Sequence, residues 1–352
     1  MSEAAIEEVV SVIARLNRAG KESVLVTSGA VAAGMGKLGL KQRPRDIAGK
    51  QAAAAVGQGV LIEKYAQTFD KHGLTSAQIL LSRTDLADVA RYRNAQNTLE
   101  RLLRLGTIPV INENDTVAIE ELCFGDNDRL SALVAGLVYA DLLIILTDVD
   151  GLYTANPKYD PGAKRIQEVK DIGAVLKMAG GAGSALGTGG MLTKLKAAEI
   201  ATRFGIGMLL LNANRLQELD SLLIGRRPEG TYFVPGNYRL SGRKRWIAYA
   251  GLSEGSITVD QGAEKALVLE GKSLLASGIL GVAGNWQRKE LVRILNKEGQ
   301  EIARGLAELS SAEIETVKGL HSEEVLAKIP GLEGEEVVHR DNLTLMLELG
   351  AK

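Results

Sequence analysis

The run Thr188–Lys194 (TGGMLTK) offers the clearest chemistry in this sequence. Two adjacent glycines clear space around the backbone, hydroxyl residues flank them, and Lys194 follows where a helix is expected to begin. Backbone N–H groups at the start of a helix, together with one ammonium group, suit the binding of phosphate. The run does not fit the Walker A pattern, and a glycine-rich run by itself is often only a connector. The phosphate hypothesis therefore depends on what else lies nearby.

Four polar clusters are predicted to lie where parallel strands end. They are 27–30 (TSGA), 112–115 (NEND), 125–128 (GDND) and 147–151 (TDVDG). Open α/β sheets bind ligands beyond the carboxyl ends of their strands, so these clusters are expected to lie close together. Taken with Lys194, they predict a phosphate site that faces a small, polar, amine-bearing substrate.

Each cluster also has a structural explanation, and the residues alone leave both explanations open. Ser28 could donate to a carboxylate or cap the helix that follows, and the NEND cluster could bind substrate or form a solvated loop. Asp126 or Asp128 could cap a helix, whereas two carboxylates this close also suit magnesium or the positioning of a lysine. Asp148 could reach a ribose or an ammonium group, or its cluster could be a tight turn.

Short apolar runs and amphipathic stretches alternate over the first part of the chain. The predicted strands are 23–27, 77–81, 107–111, 142–147 and 208–211. The predicted helices are 6–16 (closed by Gly20), 46–69, 92–105 and 128–139. Alternation of this kind implies right-handed crossovers and a mostly parallel sheet sandwiched by helices, which is an α/β fold.

The sequence changes character after about residue 225. Arginines and lysines alternate with prolines and glycines, which is typical of a basic linker. Beyond it, β-like runs at 256–259, 292–296 and 300–305 predict a small, mostly β second domain. The predicted boundaries are 1–235 for the first domain, 236–252 for the linker and 253–345 for the second domain.

Composition excludes several functional classes. The net charge is −1, which gives no overall field for nucleic acid or membranes. The single cysteine, Cys123, rules out an internal disulfide framework, and three scattered histidines do not suggest a zinc site. The longest apolar stretch, around 130–146, is too polar to span a bilayer, and no signal peptide is evident. We expect a cytoplasmic α/β protein.

The motifs resemble those of the amino-acid kinase superfamily. Ser28–Ala30, Ile111–Asp115 (INEND), Gly125–Asp128 and Thr188–Lys194 occur in its order and spacing, over nearly the whole chain. Their combination with a stretch near 253–345 that resembles a PUA domain is most similar to bacterial glutamate 5-kinases. The resemblance implies the amino-acid kinase fold plus a PUA domain, and a homo-oligomer. It also implies phosphorylation of the γ-carboxylate of L-glutamate by ATP with Mg²⁺, the first step of proline biosynthesis.

By matching position, the resemblance implies a role for each motif residue. Ser28, Asp115 and Asn127 resemble glutamate ligands, and Asp128 resembles the acidic residue that orients the catalytic Lys194. The residues that resemble the nucleotide site are Thr147, Asp148, Thr188, Gly189, Gly190, Met191, Leu192, Thr193 and Lys194. A glutamate γ-carboxylate, with an ordinary pKa of about 4.3, is ionised at neutral pH, so the reaction needs no general base.

The chain departs from the family at its beginning. Members start with a strand and a Lys-Leu-Gly-Thr/Ser segment that supplies a second lysine to the phosphates, whereas Met1 already lies in the helix expected after that strand. Lys37–Leu40 (KLGL) follows the Ser28 cluster and is not a substitute. A missing core strand would leave an open sheet edge. We expect a start codon assigned too far downstream; the alternative is a true truncation that is unstable, inactive or complemented by another chain.

A second functional class is an RNA-binding or regulatory protein, because PUA domains elsewhere bind RNA. The segment from Gly251 to Lys352 carries 11 Lys and Arg against 17 Asp and Glu, a net charge of −6. Phosphate backbones favour positive charge, so this segment is poorly suited to nucleic acid, and the basic cluster Arg243–Arg245 is the one feature in its favour. Kinase activity on acetylglutamate or aspartate is a third hypothesis.

Overall fold

The computed structural model describes residues 2–117, 127–155, 157, 160–179, 189–236, 240–329, 331–332 and 334–346. The chain forms two compact units, Met1–Arg239 and Leu240–Lys352. All the candidate site residues belong to the first unit, and Thr188 and Asp126 lie outside the described residues. None of the described helices combines the length and the hydropathy needed to cross a membrane.

Helices and strands alternate in the first unit as the sequence predicts. In chain order they are α1 (Glu3–Arg18), β1 (Leu25–Val26), α2 (Ala30–Leu38), α3 (Ile47–Lys71), β2 (Ser76–Leu81), α4 (Arg83–Ala87), α5 (Val89–Arg104), β3 (Ile108–Glu113), α6 (Asn127–Leu137), β4 (Leu142–Thr147), β5 (Glu168–Val169), α7 (Ile172–Ala179), α8 (Gly189–Arg203), β6 (Gly207–Asn212) and β7 (Thr231–Phe233). A 3₁₀-helical segment, Ala213–Ile224, connects β6 to β7.

The described strands of this unit form two sheets, where the sequence predicts one mostly parallel sheet. The first sheet has the order β1-β3-β2, and both of its pairs are parallel. The second has the order β4-β6-β7-β5, in which β6 and β7 are antiparallel and the other two pairs are parallel. No ladder joins β1 to β4 within the described residues, so each forms an edge of its sheet.

Two helices pack against both sheets. On α1, Ile6 and Val10 pack with Ile108 of β3, whereas Val12 packs with Leu209 of β6. Helix α6 packs against β1, β3 and β4, and also against α8. Asn127 at the start of α6 is hydrogen-bonded to Thr27 after β1 and to Asn112 in β3, so the carboxyl ends of these two strands lie around the start of α6.

Local signals define the ends of these helices. Ser2 caps α1 by accepting a hydrogen bond from the Ala5 N–H at 3.2 Å, and Asp46 caps α3 through the Gly49 N–H at 2.7 Å. Helix α1 ends before Gly20, whose φ of +78° is the left-handed conformation of a helix C-terminus. These ends agree with the sequence predictions to within a few residues.

The second unit is mostly β. Its elements are α9 (Gly242–Arg245), β8 (Gly255–Val259), α10 (Gln261–Val268), β9 (Leu274–Leu275), β10 (Ile279–Gly284), β11 (Leu291–Leu295), β12 (Glu301–Leu306), α11 (Ser311–Val317), α12 (Ser322–Lys328), β13 (Glu336–Val338) and β14 (Leu343–Leu345). The main sheet has the order β10-β8-β11-β12-β14, and β9 pairs with β13. Trp286 lies in its core at 1% exposure and donates from Nε1 to the Leu309 carbonyl at 3.1 Å.

The centre of the predicted basic linker is helical in the structure. Helix α9 is followed by a π-helical turn, Trp246–Ala250, so residues 242–250 are helical. Arg245 is only 3% exposed, and its Nε donates to the Leu240 carbonyl at 3.0 Å. Sequence alone suggested solvated charges here. That prediction is wrong for Arg245, because the aliphatic part of an arginine can be buried while its head group is hydrogen-bonded.

Candidate active site

The first residue of α6, Asn127, connects the polar ends of two strands. Its Nδ2 donates to the Thr27 carbonyl at 2.7 Å, directly after β1, and to Oδ1 of Asn112 at 3.3 Å, near the end of β3. Both amide hydrogens are therefore directed into the protein. The remaining group, Asn127 Oδ1, is an acceptor suited to a ligand's ammonium group.

The second residue of α6, Asp128, pairs with the glycine-rich segment. Its Oδ2 accepts hydrogen bonds from Lys194 Nζ at 2.9 Å and from Thr193 Oγ1 at 3.0 Å. The side chains of Lys194 and Asp128 are only 17% and 16% exposed. A charge-assisted bond in such a partly buried position holds the lysine in one orientation better than a surface pair does.

The glycine-rich segment is more helical than the sequence predicts. Helix α8 begins at Gly189, so Lys194 lies in its second turn rather than at its start. The N–H groups of the first turn have no partner within the helix, and the positive end of the helix dipole lies there. A Cβ placed on Gly190 would have no heavy atom within 4 Å, so the space beside it is open. The segment thus has the donors and the room that a phosphate needs.

The NEND cluster is partly strand and partly loop. Strand β3 continues through Glu113, and Asn112 and Glu113 are 4% and 7% exposed, so the solvated-loop explanation is wrong for these two residues. The Oδ1 of Asn112 accepts from the Glu113 N–H at 2.9 Å and from Asn127, whereas its buried Nδ2 has no hydrogen-bond partner in the described part of the chain. Only the residues from Asn114 onward leave the strand.

Asp115 is half-buried beyond the end of β3. Burial raises the pKa of its carboxyl group, and the positive charge of Arg43 opposes that rise. Within the described part of the chain its carboxylate accepts no hydrogen bond. An incompletely solvated carboxylate of this kind gains free energy by pairing with a ligand's cation.

Ser28 is exposed and does not cap a helix. The N-cap of α2 is Gly29, with φ of +99°, and no side chain caps that helix. The capping explanation for Ser28 is therefore wrong, and Ser28 follows Thr27, whose carbonyl accepts the hydrogen bond from Asn127. Thr27 next to it is 6% exposed and hydrogen-bonds Tyr65.

The TDVDG cluster begins at the last residue of β4, and its side chains make hydrogen bonds outside the contacts of Asn127, Asp128 and Lys194. Thr147 is 7% exposed, and its Oγ1 donates to Asp148 Oδ1 at 3.2 Å, while Asp148 is itself exposed. Asp150 accepts from Asn212 Nδ2 at 2.7 Å, and Gly151 has φ of +136°. Asp150 and Gly151 thus form the turn, which leaves Asp148 accessible to a ligand.

The structure joins four of the candidate residues, Asn127, Asp128, Thr193 and Lys194, through hydrogen bonds and their positions next to one another in the chain. These contacts run from Thr27, beside Ser28, through Asn127 and Asp128 to Lys194. Asp115 joins them through the backbone of β3, whereas no hydrogen bond in the described residues connects Asp148 to Lys194. Nor do the described residues contain a group of three or more metal-binding side chains. These contacts thus link the polar side chains at the ends of β1 and β3 to the first turns of α8.

Sequence reasoning missed the residues that support this site. Asn112 orients Asn127, and Gln58 donates from Nε2 to the Glu113 carbonyl at 3.1 Å. The available signal for Gln58 was its spacing, because it shares a helical face with the apolar Leu61 and Tyr65. A polar residue on an apolar helix face needs a buried partner, but the spacing does not say which one.

Protein-family models match this arrangement. Residues 1–212 match the model described as the amino acid kinase family, and residues 255–329 match the PUA domain. The chain belongs to the amino acid kinase family. The predicted fold class, an α/β kinase fold followed by a small PUA domain, is confirmed.

Individual relatives narrow the family further. The glutamate 5-kinase of Desulfitobacterium hafniense (strain Y51) is 68% identical over 348 residues, which cover 99% of this chain and 94% of the relative. That of Moorella thermoacetica is 48% identical over 342 residues, covering 97% of this chain and 90% of the relative. Within the amino acid kinase family, the chain groups with the glutamate 5-kinases. A solved isopentenyl phosphate kinase substrate complex also matches, with 22% identity and a TM-score of 0.45 over 66% of this chain and 90% of that one.

Proposed function

We propose that this protein transfers the γ-phosphoryl group of ATP to the γ-carboxylate of L-glutamate. The product is γ-glutamyl phosphate, the first intermediate of proline biosynthesis. The kinase family and the glutamate 5-kinase relatives support this proposal. The observation that carries it is the set of contacts from Thr27 through the adjacent Asn127 and Asp128 to Lys194, which links the end of β1 to α8.

The substrate end of the site is suited to an amino acid. Asn127 Oδ1 and the Asp115 carboxylate accept hydrogen bonds and would hold the α-ammonium group. The exposed Ser28 hydroxyl and the backbone N–H groups that follow it would hold a carboxylate. A ligand that carries both an ammonium group and a carboxylate, as glutamate does, could use both the donors and the acceptors.

The other end of the site is suited to a nucleotide. The first turn of α8, residues Gly189, Gly190, Met191 and Leu192, would place its N–H groups on the phosphates, with Thr193 and Lys194 on the next turn. Thr147 and Asp148, at and after the end of β4, would contact the rest of the nucleotide. Mg²⁺ would arrive with the phosphates, because it needs only one or two carboxylates when phosphate oxygens supply the other ligands.

The chemistry needs positioning and charge neutralisation rather than a base. The attacking γ-carboxylate is ionised at neutral pH, with an ordinary pKa of about 4.3, so no proton has to be removed from it. Asn127 and Asp115 fix the substrate, and Asp128 orients Lys194 toward the transferred phosphoryl group. Mg²⁺, when bound with ATP, neutralises charge on the phosphate oxygens. The residues then hold the nucleophile and the phosphorus in line.

Trapping the acyl phosphate with hydroxylamine tests this function. The purified chain is incubated with ATP, Mg²⁺ and either L-glutamate, N-acetylglutamate or L-aspartate, and the hydroxamate is measured. We expect hydroxamate with glutamate that depends on ATP and strongly exceeds the signal with the other two acceptors. A preference for N-acetylglutamate or aspartate would refute the substrate assignment.

Three related features stay proposals. We propose that the chain is a cytoplasmic homo-oligomer, that its domains divide at about 235 and 253, and that its PUA domain does not bind nucleic acid. The net charge of −6 from Gly251 to Lys352 supports the last of these. Light scattering measures the mass of the assembly in solution. A filter-binding titration measures the affinity for RNA, and a salt-sensitive submicromolar affinity would contradict the third proposal.

A further inference from the structure

Helix α3 contacts both loops that carry the proposed glutamate ligands. Gln58 is 7% exposed, and its Nε2 donates at 3.1 Å to the carbonyl of Glu113, two residues before Asp115. Tyr65 is 1% exposed, and its hydroxyl forms a 3.0 Å hydrogen bond with Thr27 Oγ1. Burial raises the pKa of Tyr65 above its ordinary value, and either hydroxyl can donate in this bond. One face of α3 is therefore hydrogen-bonded to the ends of both β1 and β3.

The backbone of the same helix lies so close to the backbone of α2 that two glycines at the contact have no room for a Cβ atom. A Cβ placed on Gly57 would lie 1.7 Å from the carbonyl oxygen of Ala30, and one placed on Gly34 would lie 1.8 Å from that of Ala53. Neither glycine has a positive φ, so the closeness of the two helices, rather than backbone conformation, requires glycine at these positions. Ala30 is the first residue of α2 and follows Ser28 by two positions. The position of the Ser28 loop is thus set by the contact with Gly57.

Two other glycines on these helices make a useful contrast. Gly36 in α2 and Gly59 in α3 would have no heavy atom within 4 Å of an added Cβ. Gly59 is exposed and lies only two residues from Gly57. An alanine at either open position changes helix propensity in the same direction as one at Gly57 but leaves the helix contact intact.

We propose that Gly57 and Gln58 are positioning residues that set the spacing between the Ser28 loop and the Asp115 loop, and thereby the length of the acidic amino acid that the site accepts. The inference rests on the proposed function, because it assigns the two loops to opposite ends of glutamate. Neither residue touches the substrate in this account. Moving one loop relative to the other lengthens or tilts the substrate site without altering α8, where the nucleotide is proposed to bind.

The test measures separate KM values for glutamate and ATP, kcat, and the ratio of kcat/KM for glutamate over aspartate. The variants are Gly57→Ala and Gln58→Met, and the matched controls are Gly59→Ala and the exposed Gln67→Met on the same helix. For both variants we expect the KM for glutamate to rise by about tenfold or more, since an ångström-scale misplacement is costly. The KM for ATP should stay within about twofold of wild type. The ratio of kcat/KM for glutamate over aspartate should fall. The controls should match wild type.

The outcomes separate this inference from the proposed function. A wild-type chain with no glutamate-dependent activity would refute the proposed function itself. If the wild type is active on glutamate but folded Gln58→Met has an unchanged KM for glutamate, the positioning role alone is refuted. The same holds if the KM for glutamate and the KM for ATP rise equally. If circular dichroism shows that Gly57→Ala does not fold, Gln58→Met decides, because it keeps the side-chain volume and the helix and removes only the hydrogen bond to Glu113.

Discussion

Replacing Lys194 with alanine should abolish turnover while the fold survives. The lysine's Nζ lies 2.9 Å from Asp128 Oδ2 and is 17% exposed, so its charge acts on the phosphoryl group in a partly desolvated site. Loss of one preorganised group that stabilises transition-state charge costs about 10²–10³-fold in kcat, or ~3–4 kcal/mol. Lys196 is exposed on the same helix, so Lys196→Ala is the matched control and should keep wild-type activity.

The stability cost of that change should be much smaller than its effect on rate. Asp128 keeps the hydrogen bond from Thr193 at 3.0 Å, so the carboxylate is not left without a partner. Losing one charge-assisted bond costs about 1–3 kcal/mol of unfolding free energy. For a unit of this size, each kcal/mol lowers Tm by about 2–4 °C, so the variant remains folded at assay temperature.

A double-mutant cycle with Asp128→Asn tests whether the two residues act together. If Asp128 works by orienting Lys194, the double variant should lose little more than Lys194→Ala alone, because residues that act as a unit are not additive. Initial rates at saturating glutamate and ATP measure this. Near-normal kcat for Lys194→Ala, or fully additive losses in the double variant, would refute the reasoning.

Two further predictions concern pH. Because burial raises the pKa of Asp115, its carboxylate takes up a proton at a higher pH than an ordinary aspartate, so the KM for glutamate should rise early as pH falls. Asp115→Asn should start with a high KM and lose that pH dependence; the same pH dependence of KM in wild type and Asp115→Asn would contradict the prediction. In the second unit, the neighbouring Arg288 lowers the pKa of Glu313 from 4.5 to about 2. This pair stabilises the folded state above pH 4.5, and that contribution is lost as pH falls from 4.5 toward 2. Thermal melts of Glu313→Gln should show less of this acid loss than wild type, and identical slopes would argue against it.

Regular elements could be predicted from the sequence because their signals are local. The apolar run of β4 and the spacing of α1 gave the right elements, since burial of one face or one strand leaves a period in the sequence. The end of β3 could not be predicted in this way. One of the two donors to the buried Asn112 Oδ1 is Asn127, 15 residues further along the chain. The same holds for Gln58, whose partner lies 55 residues away.

The candidate site was predictable in its parts but not in its geometry. Polar clusters after apolar runs located Ser28, Asp115, Asn127 and Lys194 at one end of the fold. The start of α8 at Gly189 was not predicted, because two glycines disfavour a helix and only tertiary packing against α6 overrides that preference. The roles assigned to these residues stay predictions until variants are assayed.

The most direct test of the proposed function identifies which bond is formed. The chain is incubated with ATP, Mg²⁺, L-glutamate and hydroxylamine, and the hydroxamate is characterised by mass spectrometry against authentic α- and γ-glutamyl hydroxamates while ADP is quantified. We predict γ-glutamyl hydroxamate in amounts equal to the ADP released, and neither product with Lys194→Ala. Formation of the α-hydroxamate, or ADP release that does not depend on glutamate, would contradict the proposal.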